Sequence, residues 1–335
     1  MKKIFGFLAL AFLSVYAFAQ DCVTTDVNLS GTASVTFSRY EHKVLTGVFS
    51  VAADKHVIFS QGNLQYQASS NTWRFAEEQY EKISTTGYTH NGVVTASGNA
   101  TEEASRSTQS AWIDLFGWGT SGWSESGANL YEPWSSLGGA NANSLEYLAG
   151  GATADLIGAN AESDWAYHNV IINGGMDNAG PSAHVWQLLT SEEWDYLFHS
   201  RINASEKFGF GVLLGVNGLF LLPDSWSWTS FAGTEFDESK WTPGAGVNYA
   251  TSNVITDKDV WTEMERAGVV FLPTTAYRNG VGLTAFAYGY YWSSTANTRY
   301  SSYYFTFYCS SNSTLSITNG QKYRGHAVRP VYRLD

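Results

Sequence analysis

Apolar and polar residues first alternate regularly at Gly47-Val48-Phe49-Ser50-Val51, and again at His56-Val57-Ile58-Phe59-Ser60 after Ala53-Asp54-Lys55. Period-two alternation on both sides of a polar break predicts a hairpin that opens the main domain. Leu64-Gln65-Tyr66 and Thr72-Trp73-Arg74-Phe75 flank the turn formers Ser69-Ser70-Asn71 and predict a second hairpin. The pattern then lapses between about Thr85 and Thr108, which reads as a long surface loop. It lapses again in the Gly-, Ala-, Asn- and Ser-rich stretch from Gly127 to Ala161, apart from a short helix around Ser144 to Leu148. Between these loops, the segment Trp112 to Trp123 sets three tryptophans among three glycines, a core-forming turn in which large rings fill the space that glycine leaves.

Helical spacing appears at Trp194, Leu197 and Phe198. Thr190-Ser191-Glu192-Glu193 ahead of them has the form of a capping box, so a helix is predicted from Ser191 to about Ser200. Phe210 to Val216 and Leu219 to Leu222 are joined through Asn217-Gly218, a strong two-residue hairpin signal. A second helix is predicted from about Asp257 to Ala267, capped by Thr256, with Val260, Trp261 and Met264 on one face and Gly268 at its end. Val269 to Pro273 then reads as a buried strand, and Trp165, Trp186, Trp226 and Trp228 as core or loop packing.

The closing stretch, Phe271 to Asp335, is dominated by Tyr, Ser, Thr and Asn. Rigid aromatic rings beside adaptable hydroxyls and amides are the composition of recognition surfaces. The same residues also favour strands, so a polar-faced antiparallel sheet explains them equally well.

The N-terminus changes the setting. Lys2 and Lys3 precede an apolar run from Ile4 to Phe18, and Ala17-Phe18-Ala19 offers small residues for cleavage before Gln20. This predicts a signal peptide over residues 1–19 and export to the periplasm, cell surface or medium. The rival is a lipid anchor at Cys22, disfavoured because Asp21 and Ala19 occupy the positions where a lipoprotein signal wants small and aliphatic residues. Residues 20–46 read as an extended arm or strand pair, and 47–335 as one domain. No later run is apolar and long enough to span a bilayer. A net charge of -11 without any Lys or Arg block argues against a nucleic-acid partner. With 32 Gly, 13 Trp, 20 Tyr and 19 Phe and only 15% charged residues, the chain favours short strands and turns over a helical bundle. Its 2 cysteines, Cys22 and Cys309, are open to a single bridge or to free thiols, including a thiol on the binding face.

No catalytic constellation emerges. The 7 histidines share no metal-ligand spacing. Gly119-Thr120-Ser121-Gly122 has the wrong order for a nucleophile elbow, and phosphate loops are lacking. Glu192-Glu193 and Glu77-Glu78 suit capping and solvation better than acid–base work. The expectation is therefore no cofactor, no metal and no catalytic residue.

His184 to Trp194, Phe271-Leu272-Pro273, Ala276-Tyr277-Arg278, Tyr291 to Thr295 and Gly325 to Val331, together with Phe59 to Tyr66 and Trp112 to Gly119, resemble the FISUMP-type branch of the C-type lectin-like superfamily. That branch is related in fold to the formylglycine-generating enzymes. The resemblance spans about Gly47 to Arg333. It implies an α+β, C-type lectin-like fold of twisted antiparallel sheets with two helices, long loops and neighbouring termini. Some relatives are variable proteins of diversity-generating retroelements, whose C-terminal lectin-fold region is diversified; the resemblance puts that region between about Tyr290 and His326. Two departures matter. Glu132-Pro133-Trp134 stands where calcium-dependent sugar binders carry other triplets, and Cys309 lacks the close cysteine partner of the oxidising enzymes. The expected function is an exported, non-catalytic module binding a protein or glycan on another cell or surface. The expected ligand-binding residues are Tyr290, Thr295, Asn297, Tyr300, Tyr303, Tyr304, Tyr308, Asn312, Asn319, Tyr323 and His326, with Trp292, Gly325, Val328 and Arg329 as scaffold. The alternatives are an enzyme with a reactive Cys309 and a structural surface subunit whose N-terminal arm pairs with a neighbour.

Overall fold

The structure is a computed structural model. It describes residues 27–28, 34–35, 45–83, 88–90, 93–95, 111–122, 154–175, 183–231, 234–279, 282–284 and 287–334. The chain divides into two units, Met1–Glu41 and His42–Asp335. In the first, β1 (Val27–Asn28) pairs antiparallel with β2 (Ser34–Val35). The predicted signal peptide, Cys22 and the helix around Ser144 to Leu148 lie outside the described residues. No helix among the described residues is long and apolar enough to cross a membrane.

The second unit is α+β, with several antiparallel sheets and few helices. Its opening hairpin, β3 (Val48–Ser50) and β4 (His56–Phe59), forms as the alternation predicts. The last strand, β20 (Val331–Arg333), lies between β4 and β10 (Trp186–Gln187), so the two ends of this unit meet in one sheet of order β10-β20-β4-β3. The second predicted hairpin also forms. Here β5 (Leu64–Gln67) pairs with β6 (Thr72–Phe75), and Asn71 takes a left-handed φ of 46° at the turn. β9 (Trp112–Ile113) joins the other side of β5. Two short strands, β7 (Tyr88–His90) and β8 (Val93–Thr95), pair inside the stretch expected to be loop throughout.

Helix α1 (Trp165–His168) was not anticipated, and makes three helices rather than two among the described residues. Asp164 caps it, accepting from Ala166 N at 3.0 Å and from Leu188 N at 2.7 Å. The predicted capping box is present on α2 (Ser191–His199): Thr190 Oγ1 accepts from Glu193 N at 3.1 Å, and Glu193 Oε2 accepts from Thr190 N at 2.9 Å. Glu193 also takes Arg333 of β20 through both carboxylate oxygens, at 2.6 and 2.9 Å, which ties the helix to the terminal strand.

The Asn217-Gly218 turn is a correction. β11 (Phe208–Leu213) and β12 (Val216–Leu221) turn instead at Leu214-Gly215, with φ of 48° and 85°, while Asn217 and Gly218 sit in mid-ladder opposite Val212 and Gly211. Packing overrides the local signal. A Cβ on Gly218 would lie 2.4 Å from the Phe271 ring on β14 (Val270–Pro273), so glycine is needed there for close approach rather than for turning. β13 (Val254–Ile255) completes the order β13-β11-β12-β14, parallel to β11. Helix α3 (Lys258–Arg266) is capped by Asp257, which accepts from Asp259 N at 2.7 Å; Thr256, one residue earlier, is not the cap.

The hairpin of β15 (Tyr277–Asn279) and β16 (Gly282–Thr284) leads to the longest sheet, β17 (Tyr288–Ala296), β18 (Ser301–Tyr308) and β19 (Thr314–Gln321). α2 covers one face of that sheet, where Phe305 stacks on Trp194 at 4.9 Å and on Phe198 at 4.5 Å. A second core gathers Trp73, Phe116, Trp118, Trp165, Trp186 and Trp292, and a third packs Trp261 and Met264 of α3 on Phe220 and Phe271. Burying a side chain of this size contributes about 2–3 kcal/mol.

Candidate functional site

Side chains alternate across a strand, so register decides which residues share a face. Tyr291, Phe305, Phe307, Leu315 and Ile317 belong to the face under α2. On the opposite face, cross-strand register lines up three rows: Tyr288–Tyr308–Thr314, Tyr290–Thr306–Ser316 and Trp292–Tyr304–Thr318. The third row is closed over at its Trp292 and Tyr304 end, whereas the tyrosines of the first two rows are half-buried. The result is an aromatic and hydroxyl face with solvent on one side.

Two further segments complete it. Residues 275–278 run along the outer edge of β17, where Thr275 and Ala276 donate to Tyr288 O and Tyr290 N donates to Thr275 Oγ1. This places Tyr277 5.2 Å from Tyr290 and under the Arg324 guanidinium, which lies 5.0 Å from its ring. Gly325 to Ala327 follow on the same edge, with Ala327 bonded to Tyr290 O and Trp292 N, so His326 lies beneath the tyrosines. Tyr288 stacks on Tyr308 at 4.3 Å and on Tyr290 at 5.5 Å.

Burial raises the Tyr290 hydroxyl above the usual phenol range, with the neighbouring tyrosines adding to the shift and Arg324 opposing it. Tyr304 is raised for the same first reason. Both are neutral phenols at physiological pH, able to donate and to accept. His326 is 0% exposed, stacks on Trp292 at 4.1 Å, and has no hydrogen-bond partner on either ring nitrogen among the described residues. Burial, reinforced by Arg324, holds it far below the ordinary imidazole range, so it is neutral. Thr306 Oγ1, in the middle row, is also without a partner among the described residues.

The residues expected to bind do not form one surface. Tyr290 and Tyr308 lie on the face described. Tyr304 shares it but is 8% exposed, and His326 is its buried floor, a correction to the expected ligand contact. Thr295 serves α2 instead, its Oγ1 accepting from Ser191 N at 3.0 Å. Asn297 and exposed Tyr300 occupy the turn after β17, where Asn297 Nδ2 bonds Ser301 Oγ. Tyr303 and Asn319 oppose each other on the α2 side of the sheet, exposed Asn312 sits in the turn before β19, and Tyr323 is buried past its end. The residues not anticipated are Tyr277, Tyr288, Thr306, Thr314, Ser316, Thr318 and Arg324. Counting back and forth in steps of two from Tyr290 and Tyr308 would have found Tyr288 and Thr306.

Cys309 does not lie on the tyrosine face: it packs in the main core at 3% exposure as a free thiol, and burial pushes it up to about 12, against the influence of Lys82. That position disfavours the thiolate a nucleophile needs. A separate cleft of about 370 Å³ is lined by Lys240, Asn253 and Asp257 among others, but Asn253 is bonded to Phe210 O and Thr242, and Asp257 caps α3. No protein-family model, curated protein or solved structure matches the chain.

Proposed function

We propose that this chain is an exported, non-catalytic recognition or adhesion module of C-type lectin-like fold, akin to the FISUMP-type branch, and that the tyrosine face of β17, β18 and β19 takes a protein or glycan ligand on another cell or surface. The observation that carries the reading is the register. It sets Tyr288, Tyr290 and Tyr308 beside Thr306, Thr314, Ser316 and Thr318 on the face away from α2, flanked by Tyr277 and Arg324. Stacked rings are pre-organised, so little side-chain entropy is lost on contact, and neutral phenols and hydroxyls supply orientation. The arrangement also suits a diversified surface, because exchange at these positions leaves Tyr291, Phe305 and Phe307 of the core untouched.

The test presents the purified mature chain to glycan arrays and to intact cells, alongside Tyr290→Ala and Tyr308→Ala and a control, His199→Ala, on exposed α2 surface. Loss of a central aromatic anchor is expected to weaken binding by about 30-fold or more, with the control unchanged. Binding that survives both face variants would overturn the assignment.

A further inference from the structure

Several sheet edges among the described residues are plugged. On β17, Thr275, Ala276 and Ala327 bond along the outer edge. β14 has Gln79 Oε1 on Phe271 N, and β3 has Asp224 on Val48 O and Ser50 N. Asn173 bonds both N and O of Phe75 on β6. β19 differs. Its eight residues, Thr-Leu-Ser-Ile-Thr-Asn-Gly-Gln, hold neither charge nor proline, the usual guards of an edge strand.

Just before β19, Ser313 bonds outward to Gly246 and Val247, which shows that odd-numbered residues of this strand turn their N–H and C=O away from β18. Just after it, Gln321 O is taken by Arg324 N. Between these stops, the outward groups of Leu315, Ile317 and Asn319 have no partner among the described residues. The open window is therefore centred on Ile317.

We propose that this window pairs with the same window of a second copy, antiparallel about a two-fold axis through Ile317. Ile317 then opposes Ile317 of the second copy, Leu315 opposes Asn319, and Ser316 opposes Thr318, so every open group in the window gains a partner; the pairing requires each strand to bend away at Gly320, because Gly246 and Val247 already fill the place opposite Ser313 that Gln321 of the second copy would take. A two-fold normal to the sheet keeps faces matched, giving one six-stranded sheet with both tyrosine faces on one side. The α2 helices share the other side without collision. Each is centred over Phe305 of β18, and the two β18 strands lie three strand spacings apart, about 14 Å, beyond the ~8–10 Å that packed helices require. The seam adds no charge to a chain of net -11. Because one strand per copy falls at the small end of specific interfaces, which begin near about 1,200 Å², the dimer forms with rising concentration. This inference is independent of the ligand reading: either can fail alone.

Sedimentation velocity from about 1 to 500 μM, a span that covers weak interfaces of this size, tests it on the mature chain and two double variants. Ser316→Lys with Thr318→Lys sets like charges opposite each other and is expected to weaken association at least about tenfold. Ser316→Lys with Thr318→Glu sets opposite charges across the seam and is expected to restore it. Both sites are at least partly exposed, and thermal melts verify folding. A native chain that stays monomeric throughout overturns the proposal. So does association that the Lys/Lys pair leaves unchanged, or that the Lys/Glu pair fails to recover.

Discussion

Replacing His326 with phenylalanine should flatten the acid limb of the stability profile. In the folded chain the imidazole is fully buried, touches Trp292, Tyr304 and Tyr290, and has no acceptor for a second proton among the described residues. The unfolded chain binds that proton near the ordinary value of 6.5. Below that pH the unfolded state holds more protons than the folded one, so stability is present above about 6.5 and is lost as pH falls. With the folded imidazole held well below 6.5, each pH unit below that value weakens the folding equilibrium by up to about tenfold. At neutral pH the exchange should be near neutral. Removing two unpaired polar atoms favours the variant, while the larger ring costs about 1–3 kcal/mol in crowding. Other groups titrate in the same range. Asp164, whose carboxyl is raised to about 7 by burial, keeps a proton in the fold that the unfolded chain releases near 3.8, so its contribution declines as pH rises between those values. The informative quantity is thus the difference between wild type and His326→Phe, from urea unfolding at pH 7.5, 6.5, 5.5 and 4.5. His326→Leu serves as the second variant should the phenylalanine prevent folding. Parallel profiles for wild type and variant would refute the reasoning.

Gly218→Ala should destabilise by about 3 kcal/mol, because its Cβ would lie 2.4 Å from the Phe271 ring and 2.5 Å from Leu272 O, whereas Asn217→Ala should cost under about 1 kcal/mol; chemical denaturation distinguishes a mid-ladder glycine from a turn glycine. Arg333→Met leaves Glu193 with its capping bond but without its bidentate partner, and should lower stability by about 2 kcal/mol, read from the shift in urea midpoint. Cys309 should resist maleimide in the native state at pH 8 and react once the chain is unfolded; rapid native labelling at that position, located by peptide mass, would contradict its burial.

Elements encoded by neighbouring residues were legible in the sequence. The Thr190 and Glu193 capping box and the Leu64 to Phe75 hairpin need only local chemistry, and both formed where spacing put them. The Asn217-Gly218 turn failed because a contact 53 positions away by numbering, with Phe271, decided the fate of that glycine. The candidate face was half legible for a related reason. Composition marked the closing stretch as aromatic and polar, yet which parity of each strand meets α2 depends on Trp194 and Phe198, far back in the chain. The irregularity between Trp292 and Ala296 also breaks the alternation that would carry parity from β17 through Thr295 into the following turn. His326 stands among the expected binders, and is buried because its backbone bonds Phe116 in both directions.

The seating of β20 between β4 and β10 sets an order of events during synthesis. The sheet that starts at Val48 cannot close until residues almost three hundred places later have been made, so no N-terminal portion emerging from the ribosome holds a finished version of it. Closing this sheet must wait for β20, with a high loop-closure cost and slow, non-local pairing. A chain built this way stays open to chaperones until β20 has been made, and removing Val331 to Arg333 would undo its beginning.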